Sequence, residues 1–176
     1  MTRCLARAAR PGALLAALLW SAAPLRAQGK ADIDAIQKLI DQYGQTEDAG
    51  DMMAQAKLMM ADRVWIGQAQ GRQTDQAMNM RTQQAAIDAQ RKQVPGVQWF
   101  TEARDRLVKF YGNGTVAVAS FYWYRTAVLP SGVPKDVAAN VGNVPALALT
   151  LVLAKDGGDW KIAHTHVSEL GPPARQ

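Results

Sequence analysis

Apolar residues recur at three- and four-residue steps over the first half of the chain, and at two-residue steps over most of the second half. In "ADIDAIQKLIDQYGQTEDAG", Ile33, Ile36, Leu39, Ile40 and Tyr43 form one stripe of a helix. Asp32 and Asp34 fall where the positive end of that helix favours acids. Gly50 ends the pattern. Asp51 then suits an N-cap, and the spacing predicts a short second helix to about Met60. "RVWIG" reads as a short strand. "TDQAMNMRTQQAAIDAQRKQ" predicts a third helix, stopped by "VPG" at residues 94–96. From there the texture becomes extended. "VQWFTEARDRLVKFYG" and "TVAVASFYWYRTAVLP" flank Asn113–Gly114, a strong hairpin signal. "SGVPKDVAANVGNVP" reads as a loop. "ALALTLVLAK" and "WKIAHTHVSEL" are two strands joined by "DGGD", and "GPPARQ" is a short tail over residues 171–176.

Helices first and antiparallel strands afterwards predict an α+β domain, spanning residues 28–170. The strand "ALALTLVLAK" is apolar on both faces, with Leu147, Leu149, Leu151 and Leu153 on one and Ala148, Val152 and Ala154 on the other. An antiparallel sheet usually leaves one face to water. Two apolar faces imply two covers. The helices supply one, and the expected second is another copy of the chain, a homodimer through the sheet.

The beginning of the chain changes the reading of charge. "MTRCLARAAR" is basic, residues 13–23 are apolar, and Ala27 offers a small exit residue. That order is a secretory signal peptide, residues 1–27, and predicts a periplasmic or secreted protein. The apolar run is shorter than the ~20 residues a membrane span needs, so no span is expected after cleavage. Four of the 20 basic residues would leave with the leader and none of the 15 acids, giving a net charge of +1 in place of the full chain's +5. The basic balance is thus mostly leader, and nucleic acid is not an expected partner. The single cysteine, Cys4, leaves too, so neither a disulfide nor a thiolate nucleophile is expected.

Two stretches carry a resemblance. "AIQKLIDQYGQTEDAGDMMAQAKLMMADRVWIG", with its Gly50–Asp51 step and Ala61–Asp62, resembles the opening of the NTF2-like superfamily in its SnoaL-like and DUF4440-type branch. "LTLVLAKDGGDWKIAHTHVS" resembles the end of the same branch, which the calcium/calmodulin-dependent kinase association domain shares. The resemblance implies a cone: N-terminal helices packed in the hollow of a strongly bent, mostly antiparallel sheet, with a cavity and dimerisation by the sheet. The same fold carries isomerases, dehydratases, cyclases and plain binding domains, so it does not choose a function. The kinase association domain tends to place arginines on its last two strands. Thr150 and Val167 stand there in this chain, and both are assigned to the ligand wall.

The chain's chemistry-bearing residues are few. Strict alternation puts Trp160, Ile162, His164, His166 and Ser168 on one face of the last strand. His164 and His166 are the only histidines. The pair could bind a metal with a third ligand, but shared with Trp160 and Ile162 it reads first as part of a covered face. His164 is the better acid/base candidate of the two. Asp105 shares an otherwise apolar strand face with Trp99, Thr101, Ala103 and Leu107, so it must be paired, with Arg125 the leading partner, or serve chemistry. Trp99 is assigned to the ligand wall with it. Tyr122 and Tyr124 alternate with Phe121, Trp123 and Arg125, and a buried tyrosine hydroxyl can polarise an oxygen. Tyr43 and Trp65 read as cavity wall, and Met52, Met53, Met59, Met60, Met78 and Met80 as core or cavity lining. The acids Asp34, Asp41, Glu47, Asp48, Asp75, Asp88, Asp156 and Asp159 read as solvated charge. No phosphate-cradling glycine loop, nucleophile elbow, zinc-helix motif or dinucleotide fingerprint is present, so no cofactor is expected. Three functions follow: a binding domain for a small hydrophobic molecule, a cofactor-independent lyase or isomerase with an Asp or His base and a Tyr donor, or an assembly domain acting through its sheet.

Overall fold

The helical stripe begins the fold. In the computed structural model, which describes residues 23–67, 71–142 and 144–171, α1 spans Ala23–Ala49. Ile36, Leu39, Ile40 and Tyr43 are all buried on it. Ile33 is not: at 100° per residue it sits about 60° round from the centre of that stripe, and it stays 41% exposed. Because α1 starts nine residues before Asp32, that acid does not cap it. Asp32 instead accepts from Lys155 Nζ at 3.0 Å and from Trp160 Nε1 at 3.0 Å, tying the helix to the far end of the sheet. Burial raises its carboxyl pKa, but these two donors and the Lys155 charge more than offset it and hold it below the ordinary range.

Gly50 stops α1 for a physical reason. Its φ of +61° is left-handed, and a Cβ there would come within 2.6 Å of Arg91 Nη2 and 2.8 Å of Ile87 Cγ2. The amides of Gly50 and Asp51 close the helix end on the carbonyls of Glu47 and Thr46. Asp51 then caps α2, Met52–Ala56, through its Oδ1 and the Ala54 amide at 2.8 Å. This helix is shorter than its sequence suggests. Met59 and Met60 already belong to β1, Met59–Gly67, because Leu58 accepts from Ile162 and starts the strand pairing there. A short β2, Gly71–Gln73, returns beside β1. α3 follows as predicted, Gln76–Gln93, capped by Asp75 on the Met78 amide.

β3 (Gln98–Tyr111) and β4 (Val116–Val128) form the long hairpin, turning at Gly112–Gly114 with Asn113 at φ 55°. The stretch expected to be a loop contains α4, Lys135–Gly142, whose Val141 packs with Val94, Val97 and Trp99. Its flanking Gly, Pro and Asn residues mask a helix of two turns. β5 (Leu147–Asp156) and β6 (Asp159–Glu169) complete the sheet.

The strand order is β2-β1-β6-β5-β4-β3, with β1 and β6 parallel and the other neighbours antiparallel. The result is the expected α+β architecture, a curved open sheet with its helices on one side. Ile36, Leu39, Ile40 and Tyr43 pack against Phe121, Trp123, Leu149, Leu151, Leu153 and Ile162. That helix-facing side is called the inner face below. The expected leader lies outside the described residues except for residues 23–27, where α1 begins. The tail expected over residues 171–176 lies outside them from residue 172 onward. Among the described residues no helix is long and apolar enough to cross a membrane.

Two bulges decide which side chains reach the inner face. On β6 the pairing steps from Leu153↔Ile162 to Val152↔His164, so Ala163 is an extra residue. Ile162 is inner, but beyond the bulge Thr165 and Val167 take the inner face, opposite Leu151 and Leu149. His164 and His166 pass to the outer face, beside Val152 and Thr150. On β3 the pairing steps from Arg104↔Tyr122 to Leu107↔Ser120, leaving Asp105 and Arg106 opposite Phe121. Asp105 takes the left-handed φ of 58° there. The methionines also divide: Met52, Met59 and Met80 are buried, whereas Met53 and Met78 are 43% and 51% exposed.

Candidate functional site

The inner face carries a pocket of about 170 Å³ near the end of α1. Its walls are aromatic and aliphatic: Tyr43, Trp65, Trp123, Leu147, Leu149 and Val167. Tyr43 and Trp123 meet edge to face with centroids 5.4 Å apart, which fixes both rings. Trp65 lies across Gly67, since a Cβ on that glycine would stand 2.4 Å from the indole Cη2. The missing side chain at residue 67 therefore sets where the Trp65 wall stands.

Three polar side chains interrupt this lining: Glu47, Arg125 and Gln83. Glu47 continues the buried stripe of α1 one turn beyond Tyr43, and the Gly50 stop leaves it in the last turn of the helix. Its side chain is only 14% exposed, and its carboxylate stands 3.9 Å from Arg125 Nη1 and accepts from Gln55 Nε2 at 3.1 Å. Arg125 follows Phe121 and Trp123 on the inner side of β4. Its guanidinium lies 4.7 Å over the Trp99 ring, with Arg91 also over that ring at 5.9 Å. Burial pulls the Arg125 pKa down, partly countered by Glu47 and Asp48. The Tyr43 phenol is pushed well above the ordinary tyrosine range by burial first and by Glu47 second, so it stays protonated and can donate.

Behind the pocket, Arg63 is 1% exposed, yet its shown partners are neutral. Nη1 donates to Met59 Sδ at 2.7 Å and Nη2 to Asn79 Oδ1 at 3.1 Å. Gln83 Nε2 donates to the same Asn79 oxygen at 2.8 Å, so a polar chain runs from Arg63 to the pocket wall. Burial lowers the Arg63 pKa, and Tyr43 opposes that shift in part.

The sequence candidates divide between two faces. Tyr43, Trp65 and Val167 line the inner pocket. Trp99 does not; it lies in the smaller core with Val94, Val97 and Val141, beneath Arg125. Tyr122 and Tyr124 alternate outward, away from the helices, with Tyr122 42% exposed and Tyr124 under the Arg104 guanidinium at 4.9 Å. Asp105 is exposed at its bulge rather than facing an apolar wall, and Arg125 pairs with Glu47 in its place. Thr150 sits on the outer face opposite His166. His164 has its pKa lowered by burial first, then by His166 and Arg63, and it too lies outside the pocket. Among the described residues no three metal-capable side chains come together.

Two other hollows lie among the described residues. One of about 370 Å³ lies on the outer face along Asp105, Ser120, Tyr122 and Thr150. It is larger than the inner pocket, but Asp105, Leu107 and Tyr122 around it are exposed. A cleft of about 190 Å³ between α1 and β3 is lined by Asp41, Asp48, Thr101 and Arg106. Its polar groups are already partnered: Arg106 pairs with Asp41 at 2.7 Å and the Thr101 hydroxyl donates to Asp48 at 2.6 Å. Of these three hollows among the described residues, the inner pocket combines buried aromatic walls with polar groups that lack full partners.

No family model matches the chain, and no curated protein sequence is similar enough to count as a relative. Solved structures are similar in fold. An NTF2-like protein with a cystatin-like fold from Novosphingobium aromaticivorans superposes with a TM-score of 0.65 at 17% identity, over 86% of this chain and 90% of its own. An NTF2-like superfamily protein from Salmonella enterica gives 0.63 at 17%, over 83% and 96%. ActVI-ORFA from Streptomyces coelicolor gives 0.62 at 13%, over 78% and 96%. The fold is NTF2-like, as the two resembling stretches imply.

Proposed function

We propose that this NTF2-like chain binds a small molecule in the inner pocket, with an apolar ring or short branched chain between Tyr43, Trp65 and Trp123 and a polar end toward Glu47 and Arg125. The observation that carries the reading is the Glu47–Arg125 pair itself, largely buried at the end of an aromatic-walled hollow. A core has no use for such a pair, because desolvating two charges costs several kcal/mol that a loose 3.9 Å contact does not return. A hollow of about 170 Å³ suits a ligand of roughly one ring; an apolar cavity of about 150 Å³ accommodates benzene. Ligand-observed NMR with neutral single-ring probes tests this. Binding to the native chain and its loss in Val167→Trp, which fills the pocket, support the reading. Absence of binding, or binding that ignores Val167→Trp, overturns it.

One observation favours a second reading. Glu47 and the protonated Tyr43 phenol share the pocket, a carboxylate base beside a hydrogen-bond donor. That is the pairing a cofactor-independent lyase or isomerase needs. Here Glu47 replaces Asp105 or His164 as the base, and Tyr43 replaces Tyr122 or Tyr124. Turnover of an activated C–H substrate that survives in Glu47→Gln would contradict it.

The same proposal includes export by residues 1–27 and dimerisation through the outer face, where Leu107 and Tyr122 are exposed. Export predicts a processed chain beginning at Gln28, read by N-terminal sequencing. The dimer predicts a doubled mass in solution.

A further inference from the structure

Buried polar atoms without a partner are rare, and each calls for a cause. Among the described residues six side-chain atoms are in that position, and four are N–H donors: Arg125 Nε and Nη2 on a residue of the pocket wall, and Arg63 Nε and Asn79 Nδ2 in the polar chain that ends at Gln83. The remaining two are Gln55 Oε1 and Thr165 Oγ1. The surplus is therefore one of donors. Charge is unbalanced in the same sense. The Arg125 guanidinium feels the like charge of Arg91 as well as the carboxylates of Glu47 and Asp48, and Asp48 is already held by the Thr101 hydroxyl and amide.

The geometry of Arg125 is more specific still. Nη1 faces Glu47, and the guanidinium plane is covered by Trp99. What remains is the side edge formed by Nε–H and Nη2–H. Those two parallel donors are the fork that grips both oxygens of a carboxylate. We infer that the inner pocket takes a small aromatic or short branched carboxylic acid, its carboxylate held side-on by Nε and Nη2 of Arg125 and its apolar body against Trp65 and Trp123.

This deepens the binding reading above and rests on it. Arg63 contributes without touching the ligand, because an anion in the pocket supplies the counter-charge this guanidinium lacks. The Arg125 edge is sealed from water, so the carboxylate enters by parting the side chains above it. Once there, it sits in a low-dielectric site where charge-assisted hydrogen bonds are strong. A neutral amide of the same shape offers only one oxygen to the fork and brings an N–H₂ to an edge already rich in donors.

The test compares benzoate with benzamide by isothermal titration and ligand-observed NMR, using the full processed chain at pH 7.5. Benzoate is expected to bind about tenfold or more tighter than benzamide. Arg125→Gln should remove that advantage by weakening benzoate about tenfold more than it weakens benzamide. Circular dichroism checks that the variant folds; where it does not, Arg125→Lys, which keeps the charge and loses the fork, takes its place with the same expected direction. Equal or tighter binding of benzamide overturns the carboxylate inference, as does benzoate binding unchanged by either substitution. In either of those cases, benzamide binding that Val167→Trp abolishes leaves the pocket reading standing, and only the carboxylate falls. If neither probe binds the native chain, both fall together.

Discussion

The two faces of the sheet are built from the same strands and differ in almost everything else. The inner face is a close-packed layer of Phe121, Trp123, Leu149, Leu151, Leu153 and Ile162, into which only a few polar groups intrude. The outer face carries both histidines, Tyr122, Tyr124, Thr150 and Asp105, the residues whose chemistry is most visible in the sequence. On the outer face water reaches Asp105, Tyr122 and His166 and mutes them. A carboxylate and a guanidinium on the inner face keep their full electrostatic weight. Position relative to the helices, rather than residue type, therefore picks Glu47 and Arg125 over His164 and Asp105.

The contrast is open to attack at several points. The largest effect is expected in the core. Leu151→Ala, at 0% exposure, should cost about 3 kcal/mol, while its half-buried outer neighbour Val152→Ala should cost about 1 kcal/mol or less. Urea unfolding of the two variants gives the comparison, and equal losses would mean that the outer face is covered as tightly as the inner. Next comes the pocket wall. Gly67→Ala places a methyl where the Trp65 indole lies, so the ring must swing away at a cost of about 1–2 kcal/mol. Its fluorescence should shift to the red and any pocket ligand should bind several-fold more weakly. Unchanged emission would show that Trp65 does not rest on residue 67.

A smaller gain is expected at Thr165, fully buried on the inner face with a hydroxyl that has no partner. Thr165→Val keeps the shape and removes the orphan, and should stabilise the chain by about 1 kcal/mol. Destabilisation would reveal a hydrogen bond at that hydroxyl. The smallest effect is a pH slope from His164. Its pKa is depressed in the fold, so the unfolded chain binds the proton more readily. The stability it contributes is present above the ordinary histidine pKa of about 6.5 and fades as pH falls through its folded value. Melting temperatures across pH 7.5 to 5 should fall in the native chain and fall less in His164→Gln. Parallel curves would remove His164 from the account.

Much of this was legible in the residues. The stripe from Ile36 to Tyr43, the Asp51 cap, the Asn113–Gly114 hairpin and the two closing strands follow from spacing and turn chemistry alone, whereas Asp75, read as solvated charge, caps α3. Glu47 was legible as well, since it falls on the Ile36–Ile40–Tyr43 line, but acids near a helix end read as solvated by default. The bulges at Ala163 and at Asp105 were not. Alternation assumes one residue per pairing step, and a single extra residue moves every later side chain to the other face. Nothing local in "KIAHTH" or "ARDRL" announces it; the registry belongs to the partner strands. Helix α4 was hidden by the turn formers around it, and the end of α2 by a strand pairing that begins at Leu58, over a hundred residues from its partner Ile162.

The most direct test of the account is a residue-resolved NMR map of the chain as a single-ring probe such as benzoate is added. The indole and amide signals of Trp65 and Trp123, with the amides of Leu149 and Val167, are predicted to move together and to saturate with one affinity. Shifts confined to Tyr122, Thr150, Asp105 and His166 would put the site on the outer face and contradict the account.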